Sequence, residues 1–144
     1  MRQVCTWIII SVVSLASLAC GSDGGGPVGP MVPSVGGVYS GTNAVVTNTC
    51  TGETGVFADL RSVSITQTGS SVRITLAGLV LNGSIDSGGG FTASGSAVID
   101  GVQIQSTMNG SITNGRFIAT EQATLSVPGD SCTLVLSFNM TREG

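Results

Sequence analysis

From Gly36 onward, apolar and polar residues alternate in short runs punctuated by clusters of Gly, Asn, Asp and Ser. A period of two sends successive side chains to opposite faces, which marks half-buried strands and not helices. An opening strand is predicted over Val38 to Val46. Ser62-Val63-Ser64-Ile65-Thr66-Gln67 alternates strictly, Gly69-Ser70 reads as a turn, and Val72-Arg73-Ile74-Thr75-Leu76 alternates again, so the two runs predict a hairpin. Asn82-Gly83 and Ser87-Gly88-Gly89-Gly90 read as breaks around Ile85 and Phe91. Val102-Gln103-Ile104-Gln105 runs up to Met108, and Asn109-Gly110 carries a two-residue turn signal. Asn114-Gly115 carries another, followed by a strand through Arg116-Phe117-Ile118-Ala119-Thr120. In the closing run, Cys132, Leu134, Leu136, Phe138 and Met140 share one face.

The fold class is therefore all-β: a small antiparallel up-and-down barrel or meander of about seven to nine strands, with a β-sandwich as the alternative. Closing a barrel requires strand 38–46 to pair with strand 132–141, since an open edge invites aggregation. Val63, Ile65, Val72, Ile74, Leu76, Val102, Ile104, Leu134, Leu136 and Phe138 should then face inward, with Arg73, Gln103 and Gln105 in water. A sandwich would divide these residues between two sheets and leave the terminal strands unpaired.

The first twenty residues differ from the rest. Arg2 precedes an uncharged, apolar stretch from Val4 to Ala19, the pattern of a secretory leader. That stretch is shorter than the roughly 20 residues a membrane-spanning helix needs. It ends in Ser17-Leu18-Ala19-Cys20, which resembles the bacterial lipobox, with a serine where that motif usually has leucine. The resemblance implies that residues 1–19 are cleaved as a lipoprotein signal peptide and that Cys20 becomes a lipidated N-terminus. Gly21, in place of the aspartate that retains some proteobacterial lipoproteins in the inner membrane, implies an outer-membrane location, facing the periplasm or the cell surface. Residues 20–35 read as the lipidated cysteine and a flexible Gly/Pro tether, and 36–144 as a single β domain. Residues 21–33 are expected to pack against nothing, for want of apolar surface.

With Cys5 removed in the leader and Cys20 lipidated, Cys50 and Cys132 remain. In an oxidising envelope a disulfide is the simplest reading, with two free buried thiols as its alternative.

Composition narrows the function. Removing Arg2 leaves four arginines against eight acids, 4 − 8 = −4, and lysine is absent. No basic run exists to engage a phosphate backbone, so nucleic acid is excluded as a partner. Absence of histidine removes the usual general base and the commonest zinc ligand. Asp86, Asp100, Glu121 and Asp130 lie near turn signals and are expected to cap turns and face water, leaving no carboxylate pair across a cleft. Gly24-Gly25-Gly26 and Gly88-Gly89-Gly90 lack the Lys-Ser/Thr of a phosphate loop. The expectation is a protein without enzymatic activity, cofactor or metal.

The opening Gly37-Val38-Tyr39-Ser40-Gly41-Thr42 and the closing Phe138-Asn139-Met140-Thr141-Arg142 resemble the two ends of calycin barrels, the lipocalins and avidins. In lipocalins a tryptophan on the first strand is covered by an arginine near the last. Here Tyr39 stands in the tryptophan's place, and the resemblance implies that Arg142 closes the barrel against it, with the guanidinium over the ring. It does not carry biotin binding, because avidins wrap biotin in tryptophans and Trp7, the one tryptophan, lies in the leader. Two roles follow as expectations. One is a non-enzymatic envelope lipoprotein, held to the membrane through its lipid, with a structural or protein-interaction role. The other is a calycin-like barrel binding a small apolar ligand in its mouth.

Overall fold

A computed structural model describes residues 31–51 and 61–144. The leader, the Ser17–Cys20 motif and the first part of the tether lie outside the described residues. Eight strands follow in order: β1 (Gly37–Asn48), β2 (Ser62–Thr68), β3 (Ser71–Leu76), β4 (Leu79–Ile85), β5 (Gly90–Ile99), β6 (Val102–Thr113), β7 (Arg116–Val127) and β8 (Asp130–Arg142). Each pairs antiparallel with its sequence neighbours, and β1 pairs with β8, so the sheet closes into an up-and-down barrel. The sandwich alternative is excluded by that closure.

Turn chemistry explains the meander. Ala77-Gly78, Asp100-Gly101 and Asn114-Gly115 each have positive φ at both central residues, the type I′ pattern whose twist matches the flanking strands. Between β4 and β5, the Asp86 carboxylate accepts from the Gly88 and Gly90 amides at 2.8 and 2.9 Å. Two expected turns are not turns. Asn82-Gly83 lies inside β4 and Asn109-Gly110 inside β6. In both, the glycine holds an inward position of an unbroken alternation, and a neighbouring strand crowds against it. A Cβ on Gly83 would stand 1.8 Å from the Thr92 carbonyl oxygen, and one on Gly110 would stand 2.1 Å from that of Ile118. These glycines bend strands at barrel corners instead of ending them.

The residues expected inside are buried, with Val102 half-buried near a rim, while Arg73, Gln103 and Gln105 are exposed. Phe117 is the hub of the core, with ring centroids 5.9 Å from Tyr39, 5.5 Å from Phe91 and 6.2 Å from Phe138. The outward positions of β5 to β7 are mostly Ser, Thr, Asn and Gln. Apolar inside and polar outside is the reverse of a barrel that spans a membrane.

Candidate functional site

Three places combine polar chemistry with a defined setting: the end of the barrel where the chain enters, the disulfide rim at the other end, and a carboxyl inside.

At the entry end, the register places Tyr39 directly opposite Arg142 across the β1–β8 closure. Tyr39 is buried among the aromatic rings, and its hydroxyl donates to the Val35 carbonyl at 2.7 Å. Burial raises its phenol above the ordinary value, and the nearby Arg142 charge partly offsets this. The guanidinium lies beside Gly37, where a Cβ would stand 2.7 Å from Arg142 Nε. The Tyr39 ring packs against Phe117 at the same end.

The same end corrects the reading of residues 31–35 as tether. Val35 is 3% exposed and Val32 packs on the core. The Val35 amide donates to Gln67 Oε1 at 2.7 Å, and Gln67 Nε2 donates to the Pro33 carbonyl at 2.9 Å. Two valines supply the apolar surface that the glycines before them lack, and one glutamine ties their backbone down. A cleft of about 250 Å³ remains between this strap and the turns, lined among others by Ser34, Gly88, Asn114 and Arg142.

At the far end, Cys50 and Cys132 form a disulfide with Cα atoms 4.9 Å apart. β1 pairs with β2 only over Gly37–Ser40, whereas its pairing with β8 runs on to Asn48 through a register shift between Val45 and Thr47. Beyond the last paired residues, Thr49 donates its amide to the Thr133 carbonyl at 3.0 Å, and the bond between Cys50 and Cys132 follows at once. The staple fastens the half of β1 that runs on along β8 beyond its register with β2.

Inside the barrel, Glu121 departs from the expectation that it caps a turn in water. It lies within β7 opposite Met108 and Leu136 and is 2% exposed. The Ser106 hydroxyl donates to its Oε1 at 2.5 Å, while Oε2 has no partner among the described residues. Desolvation pushes the carboxyl above its usual value, and the Ser106 hydrogen bond opposes this more weakly. The signal was present in the sequence: Phe117, Ala119, Glu121 and Ala123 share one parity, and the aromatic side chain of Phe117 marks that parity as inward. Asp86, Asp100 and Asp130 lie at turns or strand ends, as expected, and none joins Glu121. The arrangement offers one carboxyl and one hydroxyl, enough to hold a proton but not to set an acid against a base across a substrate.

No protein-family model, curated protein or solved structure matches this chain.

Proposed function

We propose that the chain is an exported, non-enzymatic lipoprotein of the bacterial cell envelope, anchored through Cys20 and placed in the outer membrane. Its disulfide-stapled barrel serves a structural or protein-interaction role. The observation that carries this reading is the apolar packing of the interior: every strand contributes buried residues, and an aromatic cluster with a strap fills the entry end. Such a barrel works through its outside. The anchor rests on the Ser17-Leu18-Ala19-Cys20 motif together with the glycine-rich segment after it.

Metabolic labelling of the expressed full chain with radioactive palmitate tests the anchor. The wild type incorporates label and Cys20→Ala does not, accumulating as unprocessed precursor. Label on the alanine variant contradicts the assignment.

A second reading, a calycin-like barrel for a small apolar ligand, is favoured by the half-buried inward residues Ala97, Ile99, Val102 and Leu125 toward the end opposite the strap. It predicts saturable binding of an environment-sensitive apolar dye, displaced by fatty acid. A flat titration rejects it.

A further inference from the structure

The outer face of β4 to β7 carries a row of neutral polar side chains that the core does not account for. The strand registers align Asn82 with Ser94, Ser94 with Thr107, and Thr107 with Gln122. Adjacent strands lie close to 4.8 Å apart, so the four residues form a line about 14 Å long, perpendicular to the strands. Two clefts of about 450 and 310 Å³ lie along it and share Ser94 and Thr107, so they form one groove. Gln105 and Thr124 flank the line in the larger cleft.

The concavity has a cause in the sequence. A Cβ on Gly83 would strike the Thr92 carbonyl, and one on Gly95 would stand 2.1 Å from the Val80 carbonyl oxygen. Lacking side chains, these glycines let β4 and β5 fold tightly against each other, and the outer surface dips along the crease.

The lining selects the occupant. Neither cleft is lined by a charged or an aromatic residue. The four residues of the row are exposed, and each of their hydroxyls and carboxamides can both donate and accept. A charged ligand would find no countercharge here. A protein partner would find none of the aromatic or arginine anchors that dominate interface energetics. We infer that this groove binds an extended, neutral oligosaccharide laid across β4 to β7, whose hydroxyls match the row in chemistry and in spacing. Without a stacking platform the affinity of one groove is weak, with Kd of order 1 mM. Many copies on one surface would hold a glycan strand through avidity.

Backbone amide shifts of the isotope-labelled full chain, titrated with maltohexaose and with hexa-N-acetylchitohexaose, both neutral, test the inference. Saturable shifts should appear on β4 to β7 with either sugar, and Thr107→Val combined with Gln122→Ala should weaken binding at least tenfold. The unperturbed spectrum of that double variant verifies its fold. Oligogalacturonate, which is anionic, should shift nothing in the groove. Four results overturn the inference: no shifts at saturating sugar, shifts centred outside the groove, equal binding by the double variant, or equal binding of the anionic oligomer.

Discussion

Glu121 is the residue that strains the barrel's own logic. A carboxyl with one oxygen unpartnered in an apolar interior is cheaper to hold protonated than ionised. Its folded-state value is raised above the unfolded one. Its contribution is therefore fully present below the unfolded value and is lost as pH rises through the raised folded value. The described residues facing it across β6 and β8 are Ser106, Met108, Leu134 and Leu136, none of which titrates. Urea midpoints measured from pH 4 to pH 8 should fall for the wild type relative to Glu121→Gln, which keeps the shape and cannot ionise. Parallel curves for the two proteins would show that Glu121 titrates normally in the fold. Val35 and Gln67 show the same limit of sequence reading at this scale, since glycine-rich flanks hid a strap that only tertiary packing reveals.

At the scale of elements, alternation was the legible signal and turn dipeptides were the misleading one. Ser62–Gln67, Val72–Leu76 and the face from Cys132 to Met140 were readable because period two survives without interruption. Asn114-Gly115 turns and Asn109-Gly110 does not, although the dipeptides are identical. What separates them is context: Met108, Gly110 and Ile112 continue one inward face through the second pair. That distinction predicts unequal tolerance to a methyl group. Gly110→Ala meets backbone that cannot retreat and should cost about 2–3 kcal/mol or more by urea unfolding. Gly69→Ala meets nothing within 4 Å and pays only for its φ of +59°, about 1 kcal/mol. Equal losses at the two sites would contradict the reading of Gly110 as a barrel corner.

At the scale of the whole molecule, closure and staple act together. The β1–β8 seam joins the two ends of the domain, and the disulfide bridges 82 residues across it. In the chain-entropy model a loop of that length stabilises by about 4.5 kcal/mol. Replacing both Cys50 and Cys132 by serine should cost about that much and accelerate amide exchange first in Thr42–Asn48, the part of β1 that pairs with β8 beyond its register with β2. Uniform acceleration over the barrel would show that the staple does not act locally. Function was less legible than fold, because an apolar barrel interior records packing and the lipobox-like Ser17–Cys20 motif lies outside the described residues. We propose that this barrel hangs from a membrane by lipid on Cys20. The most direct test is the intact mass of the protein extracted from the membranes of cells expressing the full chain. The expected species is a chain beginning at Cys20 and carrying a diacylglyceryl-sized adduct on that residue. A chain that retains residues 1–19, or begins near Cys20 without an adduct, would contradict it.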